Sequence, residues 1–256
     1  MHAEPAHALT RGIPDSFNAA TVETTPEVPI DVELARRQHR AYVEALSSLG
    51  LTVILLPPDN SHPDCCFVED CVLYAEGVAL IANLGAPSRR GEQRAVAAAL
   101  KPYARLETMG EAATLDGGDC LRVGRRIFVG QSKRTNAKGL ERVREVFEPM
   151  GQEVVPVPVV GSLHLKCCCS KLREDAVLLA DGTLPPETFR GLRVVTVPRE
   201  EAYAANCLTV KGTALIARGY PETERAIRRA GMETIALDNS EIRKADGSLT
   251  CSSVLF

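Results

Sequence analysis

Asp119-Cys120-Leu121-Arg122-Val123-Gly124-Arg125-Arg126-Ile127-Phe128-Val129-Gly130 decides how this chain is read. Two runs rich in β-formers flank a Gly-Arg-Arg break, which predicts a hairpin. The pattern returns at 70–81, where Asp70-Cys71-Val72-Leu73-Tyr74 and Val78-Ala79-Leu80-Ile81 flank Ala75-Glu76-Gly77. It returns again at 206–217, where Asn206-Cys207-Leu208-Thr209-Val210 and Ala214-Leu215-Ile216-Ala217 flank Lys211-Gly212-Thr213. Each copy is followed by a helical pattern and another strand, giving strand–strand–helix–strand units of about 40 to 50 residues. Helices are expected at 32–49, 91–100, 138–147 and 221–230, and further strands at 52–56, 153–157, 176–180, 193–197 and 234–237. A fourth unit fits less neatly around 163–197. A fifth would need a C-terminal strand at 251–255 to pair with the N-terminal segment 8–11. Units that cannot bury their own apolar face must stack on their neighbours. Five of them in a ring give a closed α/β propeller with a central site, and the alternative is an open twisted α/β sheet.

The composition fits one soluble catalytic-sized domain over residues 1–256. It is 45% hydrophobic and 25% charged with a net charge of −3, so nothing marks a nucleic-acid or anionic-membrane surface. No apolar run reaches the ~18 residues of a spanning helix, and no secretory leader is expected. With aromatics at 4% and no Trp, the core must be aliphatic. Nine cysteines, odd in number and clumped as Cys65-Cys66 and Cys167-Cys168-Cys169, do not form a disulfide framework. They point to a reducing, cytoplasmic setting in which most thiols fill core volume.

Several segments carry candidate chemistry. Leu115-Asp116-Gly117-Gly118-Asp119 and Asp64-Cys65-Cys66-Phe67-Val68-Glu69-Asp70 place carboxylates at equivalent unit entrances, where strands converge on the ring axis. A concave site lined by carboxylates suits a cation, and a planar guanidinium matches them by a fork of N–H donors. Either segment read alone is also an ordinary turn or solvated charge. His164 stands alone among apolar residues, and Cys251 lies among small hydroxyl residues, both common in cores. Together with a carboxylate they have the make-up of a nucleophilic site. Ser88-Arg89-Arg90 and Ser132-Lys133-Arg134 each follow a second strand, as helix-start charge or as a clamp for a carboxylate. No Cys-x-x-Cys or His-Glu-x-x-His spacing supports a metal. The segment 18–29, polar with two prolines, reads as a loop of lid length.

Phe67-Val68-Glu69-Asp70, Gly85-Ala86-Pro87-Ser88-Arg89-Arg90, Leu115-Asp116-Gly117-Gly118-Asp119, 128–136, Leu163-His164-Leu165-Lys166 and Asp246-Gly247-Ser248-Leu249-Thr250-Cys251 occur in this order. Together they closely resemble the dimethylargininases, the dimethylarginine dimethylaminohydrolase branch of the pentein (guanidine-modifying) superfamily. The resemblance runs over nearly the whole chain and implies the five-bladed α/β propeller. It implies hydrolysis of dimethyl- and monomethylarginine to citrulline and a methylamine, without a cofactor, by a monomer or homodimer. By matching position, Cys251 would be the nucleophile, His164 the general acid/base and Asp116 its orienting carboxylate. Asp70 and Asp246 would sit by the guanidinium with Glu69 nearby. Asp64 would face the α-amino group, Arg89 and Arg134 the α-carboxylate, while Val22 of the loop and Ala245 would offer backbone contacts. Cys167 departs from the Ser that many vertebrate members carry beside the histidine segment. Two other readings remain: hydrolysis of unmodified arginine, as in the deiminases, and a non-catalytic pentein that only binds a guanidine ligand.

Overall fold

A computed structural model describes residues 4–256. Five small sheets of three strands each make up the fold. The first holds β1 (His7–Arg11), β2 (Thr52–Leu56) and, from the far end of the chain, β15 (Val254–Leu255). The second is β3 (Val72–Ala75), β4 (Val78–Ile81) and β5 (Arg105–Thr108); the third is β6 (Cys120–Val123), β7 (Arg126–Gln131) and β8 (Glu153–Pro158). The fourth is β9 (Cys169–Arg173), β10 (Ala176–Ala180) and β11 (Arg193–Val197), and the fifth β12 (Leu208–Val210), β13 (Thr213–Ala217) and β14 (Glu233–Leu237). In every sheet the central strand pairs antiparallel with one neighbour and parallel with the other. Four of them are therefore a hairpin plus a strand that returns by a crossover, while in the first the antiparallel partner of β1 is β15 from the far end of the chain.

The crossovers are α1 (Val32–Ser48), α2 (Gln93–Leu100), α3 (Ala137–Phe147) and α4 (Pro221–Arg229), while the fourth blade uses a 3-10 turn at Pro186–Phe189. A short α5 (Ser240–Lys244) follows β14. Local signals set the helix starts. The Asp31 carboxylate accepts the Leu34 N–H at 2.9 Å, and the Asn136 side chain accepts that of Gly139 at 2.8 Å. No helix among the described residues is long and apolar enough to cross a membrane.

Five apolar clusters show that the sheets form a ring. One joins Leu9 and Val254 to Val72, Ala79 and Ile81, and the next joins Leu73 and Leu80 to Ile127 and Val129. The series continues from Leu121 and Phe128 to Val177 and Leu179, and from Leu178 and Ala180 to Ala214 and Ile216. Val210 and Leu215 of the fifth sheet meet Ala8 of the first, with Tyr42 and Leu46 of α1. Every seam between neighbouring blades is thus filled, including the one that closes the circle, as the unit repeat predicts. Cys71, Cys120, Cys169 and Cys207, near the start of four blades, are buried in four of these seams. They serve as the small core residues the composition suggested. All nine cysteines are free thiols.

The entrance to each blade differs from the expectation in one respect. A turn of 3-10 helix precedes every first strand: Val68–Cys71, Gly117–Asp119, Leu165–Cys167, Arg199–Ala205 and Thr250–Ser252. Cys251 therefore lies in a turn and not in the strand expected at 251–255, whose pairing is confined to Val254 and Leu255. The tight turn aims side chains toward the axis, where an extended strand would alternate them between the sheet's faces.

Candidate active site

These entrance turns meet around one cleft, lined by Thr21, Asp64, Phe67, Asp70, Arg89, Arg134, Leu163, His164, Ala245, Asp246, Gly247 and Cys251. Of the eleven residues singled out in the sequence, Asp64, Asp70, Arg89, Arg134, His164, Ala245, Asp246 and Cys251 line it directly. Asp116, Glu69 and Val22 support it from behind or from the loop.

His164 precedes the Leu165–Cys167 turn in an extended conformation. Its Nε2 lies 3.0 Å from Asp116 Oδ2, and its Nδ1 lies 4.0 Å from Asp70 Oδ1. Asp116 is fully buried and held in place, with Oδ1 accepting the Gly85 N–H at 2.8 Å and Oδ2 within 3.4 Å of Arg134. Asp119, also fully buried, accepts from the hydroxyls of Ser132 and Thr135 and from the Leu165 N–H, so it locks the histidine turn onto the neighbouring blade. Burial opposes an imidazolium here. The carboxylates of Asp70, Asp116 and Asp119 outweigh it and raise the His164 pKa to about 9. Burial likewise opposes the charge on Asp70. The His164 and Arg89 cations and the Gly118 N–H prevail, lowering its pKa to about 2.

The Gly117-Gly118 pair is a steric requirement. A Cβ at Gly117 would collide with the Glu69 carbonyl, and one at Gly118 would sit 2.7 Å from His164 Nδ1 and 2.8 Å from Asp70 Oδ1. The glycines let two blades touch while two catalytic-type side chains share the gap.

Cys251 is half-buried, with its Sγ 3.4 Å from Ser248 Oγ. Burial, then the negative charges of Glu69 and Asp70, push its thiol above the usual range. Behind it, Glu69 accepts from Lys166 Nζ and from Thr250 Oγ1, both at 2.6 Å. Burial disfavours the Lys166 ammonium, but Glu69 keeps it charged.

At the other pole, Arg89 is buried in an ion-pair network. Its Nη1 donates to Asp70 at 2.7 Å, its Nη2 to Glu92 and the Phe67 carbonyl, and its Nε to Glu92. That leaves one of its five guanidinium N–H groups uncommitted. Arg134 stands beside it, largely buried. The loop expected at 18–29 lies over this end. Asp64 accepts the Thr21 N–H and hydroxyl, and Asp246 accepts the Glu23 N–H at 2.6 Å. Val22 is held between these two anchors. Asp246 reaches across from a turn where its own φ is 54°, a left-handed conformation that Asp tolerates. Burial pushes the Asp64 pKa up against the pull of Arg89.

Asp70, Asp116 and His164 also bring ligand-type atoms within 4.8 Å of one another. The oxygens of both carboxylates already accept from Arg89, Gly118, Gly85 and His164. The donor set is that of a charge-balanced imidazolium, and it leaves little lone-pair density for an added cation.

A family model described as "N,N dimethylarginine dimethylhydrolase, eukaryotic" matches residues 5–254. The chain belongs to the dimethylarginine dimethylaminohydrolase family. It is 36% identical over 228 residues to the N(G),N(G)-dimethylarginine dimethylaminohydrolase of Pseudomonas aeruginosa, covering 88% of this chain and 90% of that one. To the protein of that name from Streptomyces coelicolor it is 38% identical over 227 residues, covering 88% and 87%. The crystal structure of the P. aeruginosa enzyme, as a Cys-to-Ser mutant with citrulline, superposes with a TM-score of 0.95 at 33% identity, covering 99% of this chain and 100% of that one. The pentein propeller is thus the fold of this family member, as the resemblance implied and as one of the two arrangements its repeats allowed.

Sequence reasoning did not single out Glu92, Lys166, Thr250, Thr21 or Asn206, which hold the dimethylaminohydrolase site in shape. Glu92 carried one weak signal, its spacing of three residues from Arg89, while the partners of the others lie in different blades.

Proposed function

We propose that this chain hydrolyses Nω-methylated L-arginines to L-citrulline and the corresponding methylamine, with Cys251 as nucleophile and His164 as the acid and then the base. One observation carries this reading: a buried imidazole held cationic by three carboxylates lines the same cleft as an unionised thiol. Such a pair is idle alone and is completed by a cationic substrate.

The guanidinium enters beside Asp70 and Asp246. Its charge lowers the Cys251 pKa, and the thiol proton leaves to solvent. The thiolate attacks the guanidinium carbon, and the His164 imidazolium gives its proton to the methylated nitrogen as the C–N bond breaks. The dimethylamine or methylamine departs, leaving a thiouronium on Cys251. Neutral His164 then takes a proton from water as the water adds to the same carbon. The C–S bond then breaks with its electron pair leaving on Cys251 as thiolate, the added hydroxyl gives its proton to solvent, and citrulline is released. Asp116 keeps the imidazole oriented through both transfers. Side chains and water handle every proton and charge in this cycle.

For the amino-acid end, Asp64 suits the α-ammonium, and Arg134 with the free N–H of Arg89 suits the α-carboxylate. The carbonyl of Ala245 and the loop backbone at Val22 complete the lining. The nine free thiols support a reducing, cytoplasmic setting.

The test is citrulline formation by purified protein given dimethylarginine, monomethylarginine or arginine. Turnover of the methylated substrates, lost in Cys251→Ala, is expected. Efficient turnover of arginine alone, or citrulline formation by Cys251→Ala, would sink the reading.

A further inference from the structure

Asn206 occupies the blade-entrance position that Asp70 and Asp119 hold in two other blades. All three make the same kind of bond across a seam. Asp70 Oδ1 accepts the Gly118 N–H at 3.0 Å, Asp119 Oδ1 the Leu165 N–H at 3.0 Å, and Asn206 Oδ1 the Thr250 N–H at 3.1 Å. They differ in what faces the second atom of the side chain. At Asp70 and Asp119 it meets donors: the Arg89 guanidinium, and the hydroxyls of Ser132 and Thr135. At Asn206 it meets acceptors. Nδ2 donates to the Lys166 carbonyl and to Thr250 Oγ1, both at 3.0 Å. The Thr250 hydroxyl has its own proton on Glu69, so it presents only a lone pair to Asn206. The two partners, a backbone N–H and a carbonyl, also fix which way the amide points. The site requires an amide where the other seams require a carboxylate.

The consequence is mechanical. Lys166 is two residues from His164, and Thr250 adjoins Cys251. One buried side chain therefore ties together the turns that carry the proposed acid/base and nucleophile, and through Thr250 it sets the partner of Glu69. We propose that Asn206 is a positioning residue that holds the His164 turn and the Cys251 turn in register for the reaction. The proposal rests on the dimethylargininase reading for its kinetic effect, but not for its structural content.

Asn206→Asp keeps the size and the Thr250 N–H bond, loses both donors, and adds a charge facing a carbonyl. We expect kcat on dimethylarginine to fall by about tenfold or more, with KM within about threefold of wild type. The pH profile of Cys251 alkylation by iodoacetamide, read by peptide mass spectrometry, is expected to shift toward higher pH. Thr250→Val, which removes the hydroxyl bonds to both Asn206 and Glu69, should lower kcat in the same direction and tests the shared link where Asn206→Asp does not fold. Circular dichroism melts establish which variants are folded. Folded variants with wild-type kcat and an unmoved alkylation profile would overturn the proposal. So would a fall in kcat no larger than the loss of folded protein, with the alkylation profile unmoved. Should wild-type protein fail to turn over methylated arginines, the function reading falls, and the alkylation profile alone still decides the role of Asn206.

Discussion

His39 and His164 are both buried imidazoles, and their environments drive them in opposite directions. The Nε2 of His39 has no hydrogen-bond partner among the described residues; burial, then Arg40, lowers its pKa to about 4. His164 is raised to about 9 because three carboxylates from other turns outweigh burial. The linkage signs are opposite as well. The stability His39 contributes is complete above its unfolded pKa of about 6.5 and is lost as pH falls through 4, because the unfolded chain takes up the proton first. His164 contributes fully below 6.5, and its contribution is lost as pH rises through 9. Urea unfolding at pH 7.5 and pH 4.5 should therefore show a loss in wild type, on the order of 2–3 kcal/mol from this group, that His39→Leu removes. Equal losses in both proteins would refute the assignment. In the sequence His39 stands among arginines of a helix and His164 between leucines, and neither setting foretells the direction of its shift. Their difference is made by carboxylates 45 to 94 positions away in the chain, which local pattern cannot display.

Among the elements, the entrance turns and the loop over the cleft matter most. The hairpins were legible because period-two apolar runs flank turn residues, and the helices because each has an apolar stripe and a start or stop signal. The fourth blade was harder to read. Its entrance carries cysteines where other blades carry Asp or Asn, and its crossover lacks an α-helix. The five-residue α5 is too short for a periodic signal, and the Thr250–Ser252 turn reads as strand because the residues around it are small and β-branched. The loop's composition marked it, but its anchors did not show. Thr21 is tied to Asp64 and Glu23 to Asp246 by bonds spanning 43 and 223 positions. Removing one anchor should free only its own end. In Asp246→Ala the Glu23 amide is expected to exchange with deuterium about tenfold faster, while the Thr21 amide, still held by Asp64, changes little. Unchanged exchange at Glu23 would mean that Asp246 does not hold the loop.

At the scale of the molecule, ring closure makes the site. The thiol comes from the last blade entrance in the chain, the imidazole from the fourth blade, the carboxylate bonded to it from the third, and Asp70 from the second. An open sheet would spread these residues along an edge. Closure of the first blade by Val254 and Leu255 on β1, three residues beyond Cys251, brings them to one axis. Repeated units at similar spacing made the ring legible, since each unit leaves an apolar face for its neighbour. The acidic entrances, the lone histidine and the last cysteine taken together had the make-up of a nucleophilic site, and the reaction itself was legible only through the resemblance of the six ordered motifs. The most direct measurement is mass spectrometry of protein quenched during turnover of dimethylarginine, with the modified peptide sequenced. A thiouronium on Cys251, absent in Cys251→Ser and lost when His164 is replaced by Gly because no acid remains to expel dimethylamine, is the expected finding. Turnover with no adduct on Cys251, or with the adduct on another of the nine thiols, would show that the nucleophile has been assigned wrongly.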